Sequence, residues 1–120
     1  MTGVQRYANE FCKALDRLVA DEDPAVAGLR FELLAPRAGA LRRPALSRLP
    51  IRRFGRLSGH LWEQWELPRE VNGSLLFCPG NTAPVSRLAR GLPTVVTVHD
   101  LSYRYFPRAY SRPFRILYNT

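Results

Sequence analysis

His99 and Asp100 close a run of β-branched apolar residues, Thr94-Val95-Val96-Thr97-Val98. A run so uniformly apolar predicts a strand buried on both faces in a parallel sheet. The polar pair then sits at the carboxyl end of that strand, where the loops of an α/β sheet diverge and ligands bind. An imidazole held at a strand end can donate to a hydroxyl or phosphate oxygen near neutral pH. A second use for His99 is to satisfy loop carbonyls. Asp100 could orient His99 or the next loop, or cap residues 101–103.

Two other stretches offer groups to the same edge. Pro79-Gly80-Asn81-Thr82-Ala83-Pro84 follows an apolar segment, Leu75 to Cys78. Gly80 permits a close backbone approach, and Asn81 carries both a donor and an acceptor for a polyhydroxylated ligand. The same residues also suit an ordinary strand exit. Gly3, in the first turn of the first helix, lets a phosphate reach backbone amides at the positive end of the helix dipole, or simply allows the turn. Tyr103, Tyr105 and Phe106 are candidates to line a cleft. Trp62 and Trp65, three apart, suit core packing or a lid. There is no Gly-x-Ser-x-Gly turn, His-Glu-x-x-His helix or P-loop, so neither a catalytic nucleophile nor a metal is predicted.

The elements that must position these residues follow from periodicity. Val4, Tyr7, Ala8, Phe11, Ala14, Leu15, Leu18 and Val19 recur at helical spacing, predicting an amphipathic helix from Gly3 to Val19 with a Thr2/Gln5 capping box. Leu29 to Leu34 alternates and predicts a strand, and residues 36–59 predict a long connection broken by prolines and glycines. His60 to Leu67 reads as a short helix stopped by Pro68, Leu75 to Cys78 and Thr94 to Val98 as strands, and Ser111 with Pro113 as the start of a last helix. Together they predict an α/β domain with a parallel sheet and helices on both faces.

Composition narrows the class. The chain is long enough for one core and one domain, with 46% hydrophobic residues in 120. It has no apolar run of membrane-spanning length and no signal-peptide pattern, so a cytoplasmic location is expected. Cys12 and Cys78 suit small buried hydrophobes better than a disulfide or a zinc site. The formal charge of +8 comes almost wholly from arginine. Arg37, Arg42, Arg43, Arg48, Arg52, Arg53 and Arg56 lie in a stretch with no acidic residue between Glu32 and Glu63. With leucines, Ile51 and Phe54 interleaved, that stretch suits an anionic membrane surface; a solvated loop is the other reading. Nucleic acid is disfavoured, because the aromatic patterns of RNA-binding modules are missing.

Read in order, Thr2-Gly3-Val4-Gln5-Arg6-Tyr7, Trp62-Glu63-Gln64-Trp65-Glu66-Leu67-Pro68, Phe77-Cys78-Pro79-Gly80-Asn81-Thr82-Ala83-Pro84, Thr94 to Leu101 and the tail from Tyr103 through Phe114-Arg115 resemble the N-terminal domain of family 4 glycosyltransferases. The resemblance implies a Rossmann-like fold, the incomplete N-terminal half of a GT-B enzyme. Its hydrophobic first strand would precede Met1, and its donor-binding domain would follow Thr120. It implies a retaining hexosyltransferase that moves a sugar from a nucleotide-sugar donor to a lipid-linked or polysaccharide acceptor, as in polysaccharide biosynthesis, without a cofactor or metal at the reaction centre. By the same resemblance His99 reaches the transferred sugar, Gly3 lies beside the donor diphosphate, and Gly80, Asn81, Asp100 and Tyr103 are acceptor-side candidates. The 120 residues alone are expected to be inactive. The competing expectation is a non-catalytic basic module, residues 37–56 holding it to the inner face of the membrane or to an anionic partner.

Overall fold

A computed structural model describes residues 2–39 and 45–99. Asp100, Tyr103, the helix expected from Ser111, and Arg42 and Arg43 lie outside the described residues. Helix α1 spans Gly3–Ala20 and begins with the expected capping box: the Thr2 hydroxyl accepts from the Gln5 amide and the Gln5 side chain accepts from the Thr2 amide. Two strands follow, β1 (Leu33–Pro36) and β2 (Ile51–Phe54), paired parallel with Leu33 opposite Ile51. After helix α2 (Gly59–Leu61), a π-turn (Trp62–Glu66) and helix α3 (Leu67–Glu70), strand β3 (Leu76–Cys78) leads to helix α4 (Val85–Ala89) and strand β4 (Thr94–Val96). Strand β4 pairs parallel with β3, Leu76 opposite Thr94.

The chain is thus a mixed α/β fold built on parallel strand pairs, with two pairs where one sheet was expected. Helices lie on both faces of β3. Phe77 stacks on Phe11 of α1, centroids 4.7 Å apart, whereas Leu76 and Cys78 point into a core with Trp62, Leu67 and Val71. Successive strand residues face opposite ways, so α1 covers one side and the α2–α3 run the other. None of the described helices is long and apolar enough to cross a membrane.

Three expectations need correction. The first strand begins at Leu33, not Leu29, and Leu29 is exposed. Its position is set by β2, which forms within the stretch read as a connection. The reason lies on α1: the buried Asp16 carboxylate accepts the backbone amides of Ser47, Arg48 and Leu49 at 2.8–3.0 Å and the Ser47 hydroxyl at 3.1 Å. Three successive amides turned onto one anion form a nest that delivers the chain into β2.

Pro68 does not stop its helix. Proline lacks an N–H and its ring collides with the carbonyl four residues back. The π-turn relieves this by widening the preceding turn, the Leu67 amide donating to the Trp62 carbonyl five residues back. The third correction concerns β4, read as buried on both faces. Val95 is 47% exposed and Val98 56%.

The loop from β2 into α2 is shaped by Glu66, whose carboxylate accepts the amides of Arg56 and Leu57. Gly55 precedes them at φ +85°, and a Cβ there would lie 2.7 Å from the Glu66 carboxyl carbon. Only glycine fits that turn without displacing the carboxylate. Trp62 closes the same corner, its indole donating to the Phe54 carbonyl at 3.1 Å.

Asp16 makes stability depend on acid. The amides of Ser47 and Arg48, chiefly, hold its carboxyl down from 3.8 to about 2. A group whose folded pKa lies below its unfolded one stabilises the fold above the unfolded pKa and loses that contribution as pH falls through the folded value. The melting temperature of Asp16→Asn should therefore lie below that of the parent at pH 6, and the gap should close between about pH 4 and pH 2. A gap independent of pH would show that the charge on Asp16 contributes nothing.

Candidate functional site

Strands β3 and β4 end side by side, and their exits are tied together before any ligand is present. The Asn81 amide donates to the Thr97 carbonyl at 2.9 Å, and the Thr97 amide to the Cys78 carbonyl at 3.0 Å. Asn81 takes a left-handed backbone, φ +48°, a conformation asparagine tolerates better than most residues. Its side-chain oxygen accepts the His99 amide at 2.6 Å. Of the donor and acceptor expected from Asn81, the acceptor is therefore engaged by the scaffold.

His99 is half-buried and held on two sides. Its Nε2 lies 2.6 Å from the Pro79 carbonyl, and the Tyr7 ring meets it edge-on at 4.7 Å. A carbonyl only accepts, so Nε2 carries the proton. The neutral ring then offers Nδ1 as an acceptor, matched to a hydroxyl that donates. The expected donation to a substrate oxygen is available only to the imidazolium. Of the two sequence readings of His99, the structure shows the one in which the ring satisfies a loop carbonyl, through Nε2 and Pro79.

The amino end of α1 closes the third side. A Cβ on Gly80 would meet Val4 of α1 at 3.2 Å, so the close approach that Gly80 permits is made by the helix itself. Gly3 is exposed, and a Cβ there would meet nothing within 4 Å. Packing does not demand a glycine at that position. The capping box uses the amides of Thr2 and Gln5, leaving those of Gly3 and Val4 without a partner among the described residues at the positive end of an 18-residue helix.

Deeper in, the Thr82 hydroxyl donates to Glu63 Oε2 at 2.9 Å, and Glu63 Oε1 is buried with no partner among the described residues. Cys78 is buried nearby, and its thiol is pushed up to about 12, first by burial and then by Glu63, with Arg87 opposing. Such a thiol is a packing group, not a nucleophile. Cys12 is likewise a free thiol raised by burial. Among the described residues no three His, Cys, Asp or Glu side chains gather as a metal site would require.

The structure brings Gly3, Gly80, Asn81 and His99 to one edge and adds Tyr7, which the sequence placed only on the apolar face of α1. Its spacing of three from Val4 puts both on the stripe that meets the β3 and β4 exits. The basic stretch fares differently. Arg52 bridges Glu32 and Glu70, each at 2.8 Å, and Arg53 donates to the carbonyls of Pro36, Arg37 and Gly39. Strand β2 runs through the middle of the expected patch, two of its arginines are committed within the fold, and Arg37, Arg48 and Arg56 stay exposed among the described ones. Comparisons of the chain with family models, curated proteins and solved structures find no match in any of the three.

Proposed function

We propose that this chain is the acceptor-side part of a Rossmann-like, GT-B retaining glycosyltransferase, transferring a hexose from a nucleotide-sugar donor to a lipid-linked or polysaccharide acceptor. The observation that carries the reading is that Asn81 and His99 meet at the carboxyl ends of two parallel strands, with Val4 of α1 against Gly80 and Tyr7 against His99. Hydroxyl acceptors and donors beside an anion-binding helix end suit a sugar attached to a diphosphate. In this reading Nδ1 accepts from a sugar hydroxyl, Asn81 donates to a second oxygen, and the helix end stabilises the departing diphosphate. The reaction consists of positioning and charge stabilisation, with no covalent intermediate on the protein. The rest of the donor site would come from a second domain, so these 120 residues alone should transfer no sugar. Against the rival basic-module reading, Arg52 pairs with Glu32 and Glu70 at the surface and Arg53 donates to three backbone carbonyls.

Inorganic pyrophosphate at millimolar concentration, followed by amide chemical shifts, tests the anion end. The shifts are expected at Gly3 and Val4 and, more weakly, at Gly80 and His99. Gly3→Ala should weaken binding by about tenfold, the equivalent of roughly 1.4 kcal/mol. Its melting temperature should not fall, because the added methyl meets open space and alanine favours helix. Shifts confined to the arginines of residues 45–56, or none at all, would remove the site from this edge.

A further inference from the structure

Trp62 and Leu67, at the two ends of the π-turn, are five residues apart and both lie in the core. At 3.6 residues per turn, positions five apart point about 140° away from each other. An i→i+5 turn brings them round to one side, and such turns recur beside functional sites. The residues between are turned with them. Glu66 reaches the loop leaving β2, while Glu63 and Gln64, neighbours in sequence, both reach the loop leaving β3.

Gln64 grips that loop at two points. Its Nε2 donates to the Ala83 carbonyl and its Oε1 accepts the Val85 amide, each at 2.9 Å. The pair of bonds needs both ends of one amide, so an apolar replacement loses both. Glu63 Oε2 accepts the Thr82 hydroxyl, while Oε1 is buried with no partner among the described residues. A carboxylate with one oxygen left dry is costly to the fold. Fixing Thr82 is what it does in return. Thr82, Ala83 and Pro84 are buried, so the inner half of the loop is seated on the π-turn.

The outer half of the same loop forms the candidate site. The Pro79 carbonyl lies 2.6 Å from His99 Nε2, and Asn81, one residue before Thr82, accepts the His99 amide through Oδ1. A rotation of the loop about its seat would disturb both contacts of His99 together. We infer that Glu63 and Gln64 are positioning residues: by fixing Thr82, Ala83 and Val85 they set Pro79 and Asn81, and through these the orientation of the His99 ring. The inference rests on the sugar-nucleotide reading for the use of that edge, and not for its geometry.

Nuclear magnetic resonance on the 120-residue chain without ligand tests it. In the parent the His99 amide should exchange slowly and the ring proton on Nε2 should be visible. Thr82→Val and Gln64→Met, made singly, should each speed exchange of the His99 amide by about tenfold and broaden the ring proton away. Thr82→Ser keeps the hydroxyl and should restore the parent's behaviour. Leu49→Ala, a core change at the amides gathered by Asp16, should lower the melting temperature and leave both His99 signals in place. Unchanged His99 signals in Thr82→Val and Gln64→Met would overturn the inference, and so would an equal change in Leu49→Ala. Pyrophosphate added to the parent judges the sugar-nucleotide reading separately: no shifts at Gly3 and Val4, beside the expected response of His99 to the variants, removes that reading and supports the positioning.

Discussion

Arg87→Met should destabilise the fold by about 3–5 kcal/mol, a large share of the whole stability of a domain this size. Arg87 is 2% exposed and pairs with no carboxylate among the described residues; carbonyls hold its charge. Nη1 donates to Val71 at 2.7 Å, Nη2 to Ser74 at 3.0 Å and Pro93 at 2.9 Å, and Nε to the Thr94 hydroxyl at 3.3 Å. One guanidinium thereby ties the end of α3, the entry to β3 and the entry to β4 into a single unit. Methionine fills much of the volume and takes the guanidinium from the Val71 and Ser74 carbonyls, at about 1–3 kcal/mol for each that stays dry, whereas the Pro93 carbonyl keeps the Leu76 amide. Arg87→Lys should recover less than half of the loss, since a point ammonium cannot fork to acceptors on separate segments. Urea denaturation of the three proteins checks this, and a loss below about 1 kcal/mol for Arg87→Met would mean that water takes over the carbonyls.

Such a residue is not legible in the sequence. Arg87 sits among seventeen other basic residues, and neither its neighbours nor its spacing marks it as the buried one. Helix α1 is legible because its apolar period runs over five turns and its cap is local. Strand β3 is legible because four apolar residues precede a turn. Strand β2 is not: Ile51-Arg52-Arg53-Phe54 is short and half arginine, and it forms because Asp16, thirty-one residues before Ser47, gathers the amides that lead into it. Pro68 misleads for a related reason. The rule that proline ends a helix presumes an α-turn before it, and the π-turn is decided by packing of Trp62 and Leu67 in the core.

The site divides the same way. Strand-end position, read from the apolar run before His99 and the one before Pro79, correctly brings Gly80, Asn81 and His99 together. What each atom is free to do depends on contacts between loops: Asn81 Oδ1 with the His99 amide, and His99 Nε2 with Pro79. Gly80 reads as a place for close backbone approach, and Val4 of α1 makes one such approach. Asp100 and Tyr103 lie outside the described residues.

The second large effect is on turnover. In an enzyme that continues this chain into a donor-binding domain, His99→Ala should lower turnover by about 100-fold or more, the loss expected when one contact strengthened in the transition state is removed. The cost to the fold should be small, about 1 kcal/mol for the Nε2 bond to Pro79 and the edge contact with Tyr7. Nδ1 accepts from the sugar in this reading, so His99→Gln, which places an amide on the Pro79 carbonyl, should recover stability more than turnover. The deciding measurement is turnover per folded molecule and melting temperature of His99→Ala on one preparation. A sugar-nucleotide site at this edge predicts turnover down about 100-fold with melting lowered by only a few degrees; near-normal turnover from a clearly destabilised protein would make His99 a strut between two loops and end the assignment.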